Sequence, residues 1–298
     1  MKEVTNLAFT NANIPLVEGL SEELERLRKR VHVSNLSESM GRTYCRSVRD
    51  LCLYTGLLPV ELELDEIIDY LLFLNEKGLS WAKIKLDVAA LRYYYREMFD
   101  NEALASKIPY PKEEKSLPTI LSREELVQLF KSCKNPKHRV ILRLVYSGGL
   151  RRSELIHLKI EDIDSQDGKH RIRINKGKGG KDRFTVLSKK VLEELRAYFL
   201  ASKPKIYLFN GQKKGEPMSR GLLRHILKEA RKRSGIGKNF SLHSLRHSFA
   251  THSLEDGMPL TTLQALMGHS TIQTTMIYLH VSEVPLFKAF SPLDNIEE

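Results

Sequence analysis

Residues 106–120, SKIPYPKEEKSLPTI, interrupt the chain with three prolines and a run of charges that has no helical or strand periodicity. Proline removes a backbone donor and drives the preceding residue out of the helical region, so this segment predicts an extended linker. Each side of it is long enough to bury a core of its own. The sequence therefore predicts two domains, residues 1–105 and 121–298, joined by a linker at 106–120 that allows hinge motion.

Positive charge is concentrated in the second domain. The chain has a formal net charge of +11, yet residues 1–115 hold 16 Lys and Arg against 19 Asp and Glu, so the remaining 183 residues carry +14. Phosphate neutralisation and counterion release reward clustered Lys and Arg, which indicates a surface for a polyanion such as double-stranded DNA. A merely soluble cationic domain is the alternative that charge alone leaves open.

The remaining composition excludes several classes of protein. Only three cysteines occur, without a CxxC pair, so neither a disulfide framework nor a metal site is expected. The first twenty residues lack a basic start followed by a long apolar run, and no stretch approaches the roughly 18 apolar residues that span a bilayer. We therefore expect a cytoplasmic protein with no membrane partner and no cofactor.

The first domain shows only helical periodicity, which predicts a small four-helix bundle. Its candidate helices begin near residues that can cap free backbone N–H groups, namely Ser21, Ser37, Asp65 and Ser80. In the second helix, three arginines at i, i+4 and i+7 share one face. This face can enter a DNA groove or remain solvated, and it consists of Arg42, Arg46 and Arg49.

The second domain combines helices with strands. It opens with a capping box at Ser122 and Glu125. Residues 169–188, KHRIRINKGKGGKDRFTVLS, alternate apolar and basic residues on either side of a glycine-rich turn, which is typical of a β-hairpin. IYLF at 206–209 is a candidate third strand, and a helix over 222–233 follows. The predicted fold class is mainly α with a small antiparallel β-sheet, an α+β arrangement.

Four motifs follow in order along the second domain: GGLRRSELIHL, INKGKGGKDRF, HSLRHSFATH and LMGHSTIQTTMIY. Each alone occurs in ordinary structural settings, but their order and spacing resemble the tyrosine recombinase, or phage integrase, family. The resemblance covers essentially the whole chain, and SPLD at 291–294 is similar to the Xer and integron-integrase members. It implies that residues 1–105 form a SAM-like core-binding domain for DNA and that residues 121–298 form the catalytic domain.

The resemblance also implies the residues of an active site. Glu154 would support the first arginine, and the hairpin residues Lys181 and Arg183 would bind DNA together with the arginine face of the first domain. Tyr278 would be the nucleophile. The six catalytic positions are Arg151, Lys178, His243, Arg246, His269 and Tyr278.

These residue types suit the cleavage of a phosphodiester. Arginine presents a planar, permanently charged fork, so Arg151 and Arg246 can hold both non-bridging oxygens and neutralise a pentacoordinate phosphorane. Tyrosine is a poor nucleophile at neutral pH because its pKa lies near 10, and His243 is the nearest candidate to accept the Tyr278 proton. Lys178 can protonate the departing 5′ oxygen. Neither ATP nor a metal is required.

Strand exchange in this family implies a homotetramer on DNA, formed alone or with a partner recombinase, with the tail from residue 281 exchanged between protomers. A tail docked on its own domain is the alternative. Two other functions stay open, a type IB topoisomerase and an inactive DNA-binding accessory protein. The biological role would be DNA integration, excision, dimer resolution or movement of a genetic element, at the nucleoid. His247, His252 and His280 are interpreted as structural or supporting residues.

Overall fold

The computed structural model describes residues 17–112, 117–166, 168–175, 182–213 and 215–282. The chain forms two compact units, residues 1–115 and 116–298. Both consist mostly of helices, and the second also holds a small antiparallel sheet, so the mainly helical α+β class is confirmed. The boundaries of the domains and of the linker stay a prediction, although one helix continues to Lys107, inside the segment predicted as linker.

The first unit is a helical bundle. Ser37 and Ser80 cap their helices as predicted, through hydrogen bonds that their hydroxyls accept from Met40 N and Lys83 N. Ser21 and Asp65 lie inside the first turns of their helices instead. The helices are α1 Leu20–Val33, α2 Glu38–Thr55, α3 Leu64–Glu76, α4 Trp81–Phe99 and a short α5 Glu102–Lys107.

The core of the first unit lies between α2 and its neighbours α1 and α4. Apolar side chains such as Val48, Leu51 and Leu91 are fully buried there, and their removal from water is the main stabilising contribution. The Tyr94 hydroxyl donates to Glu23 Oε1 at 2.5 Å, which connects α4 to α1 across the core. The bundle therefore buries one face of α2 and leaves its arginine face at the surface.

The second unit contains eight helices in its described residues. They are α6 Arg123–Ser132, α7 Pro136–Gly148, α8 Arg152–His157, α9 Lys189–Ser202, α10 Arg220–Ser234, α11 Leu242–Glu255, α12 Leu260–Met267 and α13 Gln273–Met276. The predicted capping box is present, because Glu125 N donates to Ser122 Oγ and Ser122 N donates to Glu125 Oε2. α7 and α11 pack against each other, and α11 is buried on most of its surface.

The sheet is antiparallel with the order β1 Ile163–Asp164, β2 Arg171–Ile174 and β3 Arg183–Val186. The predicted hairpin is confirmed by the pairing of Ile172 with Thr185, while its tip, residues 176–181, lies outside the described residues. The prediction of a third strand at 206–209 is wrong. That segment makes only an isolated bridge from Tyr207 to Lys159, because β1 takes the free edge of β2.

Two glycines shape the loops that end α7 and α12. Gly149 and Gly268 adopt φ of +59° and +61°, a region that L side chains rarely occupy. A Cβ at Gly149 would lie 2.5 Å from the Phe249 ring, and a Cβ at Gly268 would lie 2.7 Å from Arg183 Cδ. Only glycine therefore allows both backbones to approach α11 and β3 this closely, and both loops contribute carbonyl groups to the site described next.

Candidate active site

A cluster of charged and aromatic side chains lies where α8, α11 and the segments after α12 and α13 meet. Arg246 is at its centre and is only 1% exposed. Its Nη1 donates to Gly149 O and its Nη2 donates to Met267 O at 2.5 Å. Burial, followed by the charge of Arg151, lowers the pKa of Arg246 to about 10, so it keeps its charge at neutral pH. Carbonyl groups from two loops thus hold a buried cation in one orientation.

Arg151 lies next to Arg246 at the start of α8. Its Nη1 donates to Glu154 Oε1 and its Nη2 to Gly268 O, each at 2.8 Å. The backbone N–H of Arg151 also donates to Glu154 Oε2 at 2.8 Å, which closes the first turn of α8. Since residues three apart in a helix face each other, the GLRRSEL motif builds this contact locally.

Glu154 also binds Arg183, which the sequence had assigned to DNA. Arg183 donates from Nη1 and Nη2 to the two carboxylate oxygens at 2.7 and 2.9 Å, and from Nε to Leu266 O at 2.9 Å. Its side chain is only 10% exposed. In this structure the Arg183 guanidinium is committed to an internal bidentate pair, an arrangement that argues against the predicted contact with DNA.

One carboxylate serves three guanidinium groups in this cluster, because Arg246 Nη1 also lies 3.9 Å from Glu154 Oε2. Burial raises the pKa of Glu154, but the hydrogen bonds from Arg183 and Arg151 overcome that effect and lower it to about 2. Glu154 is thus ionised at neutral pH. Three positive charges against one negative charge leave a net positive site, which favours an anion such as a phosphodiester.

His269 connects the arginines to the aromatic part of the cluster. Arg246 Nη2 lies 3.3 Å from His269 Nε2, and His269 Nδ1 lies 2.9 Å from Thr275 Oγ1. An arginine can only donate, so Nε2 is the acceptor and Nδ1 carries the proton toward Thr275. Burial, with the charges of Arg246 and Arg151, lowers the pKa of His269 to about 4. His269 is therefore neutral at physiological pH.

Tyr278 completes the cluster. Its ring stacks on His269, with centroids 6.3 Å apart and planes 16° apart, and the residue is only 2% exposed. Burial raises the pKa of the Tyr278 hydroxyl, and Arg246 and Arg151 partly oppose that shift. The phenol is therefore protonated in the absence of a bound anion.

The neighbour of the Tyr278 hydroxyl is His247, and not His243 as the sequence predicted. His247 Nδ1 lies 2.9 Å from Tyr278 Oη. His243 is exposed at the surface, with its ring centroid 4.4 Å from that of His247. Desolvation by the surrounding protein and the charges of Arg246 and Arg151 lower the pKa of the His243 imidazole. The sequence did hold a signal for His247, because a residue four positions after His243 shares its helix face.

Two predicted site residues on the hairpin, Lys178 and Lys181, lie outside the described residues. The predicted arginine face of α2 is formed. Together with Arg28 and Lys29 of α1, the arginines line a cleft of about 820 Å³ within the first unit. Arg49 Nη2 lies 2.8 Å from Oδ1 of Asp50 on the same helix. The arginines of this face are Arg42, Arg46 and Arg49.

The residues that the structure describes contain no group of three or more His, Cys, Asp or Glu side chains that could hold a metal ion. Over the same ranges, no helix combines the length and the apolar character needed to cross a membrane.

Comparison with known proteins places these observations in a family. Residues 119–284 match the model of the phage integrase family, and residues 24–103 match the N-terminal SAM-like domain of phage integrases. The chain is 34% identical over 282 residues to tyrosine recombinase XerA of Pyrococcus furiosus (strain ATCC 43587 / DSM 3638 / JCM 8422 / Vc1), covering 93% of this chain and 96% of the relative.

Two further similarities agree with that match. Tyrosine recombinase XerC of Staphylococcus saprophyticus subsp. saprophyticus is 34% identical over 236 residues, which cover 74% of this chain and 78% of XerC. Among solved structures, XerH site-specific recombinase bound to its palindromic difH substrate after cleavage has a TM-score of 0.70 at 23% identity. That comparison covers 87% of this chain and 82% of XerH, and it supports the fold.

Proposed function

Because the chain belongs to the phage integrase family of tyrosine recombinases, enzymes that cleave and rejoin DNA in site-specific recombination, we propose that Tyr278 is its nucleophile and forms a 3′-phosphotyrosine ester. One observation carries this proposal. Tyr278 is buried in the cluster that holds Arg246, and His269 contacts both of them. A protonated phenol in a net positive pocket suits attack on a bound phosphodiester.

In the proposed reaction, Arg151 and Arg246 bind the non-bridging oxygens of the scissile phosphate. Arg246 already has its guanidinium fixed by two backbone carbonyls, so little reorganisation accompanies the development of charge on phosphorus. Glu154 orients Arg151 through a hydrogen bond, and Arg183 in turn holds the Glu154 carboxylate. His269 contributes a neutral imidazole between Arg246 and the tyrosine ring.

Trapping the covalent intermediate tests the proposed nucleophile. A nicked DNA substrate loses the short strand that would reverse cleavage, so the protein should accumulate on DNA as an adduct that survives denaturation. We expect the adduct with the wild-type chain and none with Tyr278→Phe, while both bind DNA equally. Undiminished adduct formation by Tyr278→Phe would assign the nucleophile to another residue.

Lys178 is proposed as the acid that protonates the departing 5′ oxygen. Lysine holds its proton at neutral pH, and the sequence puts Lys178 in the glycine-rich segment between β2 and β3. In a 5′-phosphorothiolate substrate the leaving sulfur needs no acid, so Lys178→Ala should be rescued there. Equal slowing on oxygen and sulfur substrates would exclude the lysine from this role.

DNA bound to XerH supports a DNA partner for this chain as well. The arginine face of α2 is proposed as the part of the first unit that contacts double-stranded DNA, which would bring the protein to the nucleoid.

A comparison of plasmid relaxation with recombination between two sites separates the function of a recombinase from that of a topoisomerase. Recombinant product is expected, and relaxation without it would favour the topoisomerase.

Joining two duplexes requires several protomers, and we propose a tetramer in which the tail from residue 281 packs on a neighbouring protomer. Apolar residues in that tail support the proposal, including Leu286, Phe287 and Phe290. Truncation after residue 282 should preserve adduct formation by single protomers and abolish recombinant product. Full recombination by the truncated chain would remove the tail from assembly.

A further inference from the structure

Two histidines on α11 lie near the proposed nucleophile, and only one of them touches it. His247 Nδ1 is 2.9 Å from Tyr278 Oη, which is hydrogen-bonding distance. A third histidine, His269, lies outside α11 and stacks on the tyrosine ring. Its two ring nitrogens are engaged by Arg246 and Thr275. Among the described residues, His247 is thus the one imidazole with a nitrogen directed at the phenol.

The surroundings of His247 keep its ring neutral. Burial lowers the pKa of His247 to about 4, and the nearby His243 and the positive charge of Arg246 add to that shift. Both of these groups lie on α11, and Tyr278 faces the ring from the segment after α13. With its proton on Nε2, a neutral imidazole presents the Nδ1 lone pair to the phenolic O–H. In this tautomer the hydrogen bond runs from Tyr278 to His247.

We propose that His247 is a further catalytic residue, the group that accepts the phenolic proton of Tyr278 as its oxygen attacks phosphorus. This inference rests on the proposed function of Tyr278. In the step, the bond from Tyr278 Oη to phosphorus forms, the bond from phosphorus to the 5′ oxygen breaks, and the phenolic proton moves to His247 Nδ1. The 5′ oxygen leaves as a hydroxyl after taking a proton from Lys178. Religation reverses each transfer.

The need for an acceptor follows from the chemistry of tyrosine. With a pKa near 10, only about one phenol in a thousand is ionised at pH 7, and burial makes ionisation of Tyr278 harder still. A phosphodiester bound by Arg246 and Arg151 adds a negative charge beside the ring of His247. That charge stabilises an imidazolium, so the basicity of His247 increases when the substrate is in place.

The test uses variants that separate a base from a simple hydrogen-bond acceptor. His247→Asn keeps an acceptor oxygen near the position of Nδ1 but cannot take a proton, and His247→Ala removes both. His252 provides a matched control, because it lies on the same helix with its Nδ1 3.0 Å from the hydroxyl of Tyr146. His252→Asn therefore disturbs a similar pair away from the nucleophile.

The rate of adduct formation is measured in single turnover with saturating enzyme and nicked DNA, between pH 6 and pH 9.5. We expect both His247 variants to be about 100-fold slower at pH 7, a typical contribution of a general base. The deficit should narrow as the pH rises, because a phenolate needs no acceptor. His252→Asn should stay within about twofold of wild type at every pH, and added imidazole should accelerate His247→Ala alone.

Three outcomes would overturn the inference: wild-type rates in both His247 variants, a deficit in them that is the same at every pH, or an equal deficit in His252→Asn. The last two would indicate that His247 only supports the structure. Failure of the proposed function looks different, because wild-type protein would then form no adduct at Tyr278. Binding of DNA by each variant, and its thermal unfolding midpoint, confirm that a slow variant is folded.

Discussion

At the scale of single residues, the site depends on the carboxylate of Glu154, which interacts with three guanidinium groups. Arg151 and Arg246 differ in their support: Arg151 is held partly by Glu154, whereas Arg246 is held by the carbonyls of Gly149 and Met267. The guanidinium N–H groups of each arginine already donate to protein acceptors when no DNA is bound. Both guanidinium groups are therefore held in place before substrate binds, which suits the role proposed for them in stabilising the charge of the transition state.

The first prediction concerns these two arginines. Arg151→Ala and Arg246→Ala should each reduce the rate of adduct formation by at least about 1,000-fold, a loss of roughly 4 kcal/mol of transition-state stabilisation. DNA affinity should fall by less than about tenfold, because many other phosphate contacts remain. Single-turnover cleavage and binding titrations on the same DNA check this. Losses of equal size in binding and cleavage would contradict a role in the transition state.

The second prediction concerns Arg183. Arg183→Ala should destabilise the protein by about 3 kcal/mol, since it removes one partner of a buried ion pair, and it should leave the salt dependence of DNA binding unchanged. Urea unfolding and binding titrations over a range of salt concentrations measure the two effects. Arg173→Ala is a suitable control, because this nearby strand residue is about half exposed. A weaker dependence of DNA affinity on salt concentration in Arg183→Ala would show that Arg183 contacts DNA.

At the scale of elements, the closely packed pair α7 and α11 determines where the proposed catalytic groups lie. The chain leaves α7 at Gly149, where a Cβ would lie 2.5 Å from the Phe249 ring of α11, and reaches Arg151 two residues later. The carbonyl of Gly149 then returns to Arg246 on α11. A single left-handed residue thus fixes the separation of two arginines that lie far apart in the sequence.

The third prediction tests that loop. Gly149→Ala should cost about 2–4 kcal/mol of unfolding free energy, because it combines a strained φ with a contact of 2.5 Å to Phe249. Gly257→Ala is the matched control, with φ of +90° and nothing within 4 Å of its Cβ, and should cost about 1 kcal/mol. Urea unfolding of the two variants checks the difference. Similar losses of unfolding free energy in the two variants would show that the Phe249 ring of α11 moves away from the added methyl group without much loss of stability.

At the scale of the whole molecule, titratable groups connect the site to stability. The folded pKa values of His247 and His269 are both lowered to about 4, below the ordinary value near 6.5. Between these values the unfolded chain binds more protons than the folded chain. Stability therefore falls as the pH decreases through this window, and it is fully present above it.

The fourth prediction follows from that sign. The thermal unfolding midpoint of the DNA-free protein should fall as the pH decreases from 7 to 4, with each of the two histidines contributing up to about 3 kcal/mol at pH 4. His247→Asn and His269→Asn should each flatten this dependence, and His280→Asn, at an exposed position, should not. Circular dichroism melts at several pH values check it. An unchanged slope in both site variants would show that these rings are not buried as neutral groups.

The fifth prediction concerns the charge of the first unit. Replacing Arg42, Arg46 and Arg49 together by alanine should reduce the slope of log affinity against log salt by about 2–3, since each phosphate contact contributes roughly 0.9. The matched control removes three exposed arginines that do not line the same cleft: Arg26, Arg30 and Arg96. Equal effects of the two triple variants would reduce the arginine face to a general contribution of charge.

The sequence by itself determined the elements and the identity of most chemical groups. Helical periodicity and capping serines predicted α2 and α4, and alternation around glycines predicted the β2 and β3 hairpin. These features are local, because hydrogen bonds and side-chain spacing within a few residues decide them. The resemblance of four short motifs to one family then supplied the residues of the site.

Only the tertiary structure decided which of those groups meet. Arg183 stands in a basic hairpin that suggests a DNA contact, yet it pairs with Glu154, 29 positions earlier. His247 and His243 share one face of α11, and the position of Tyr278, 31 residues after His247, selects between them. Such contacts depend on how α8, α12 and α13 pack around α11. No local pattern encodes that packing, because it results from the burial of many side chains at once.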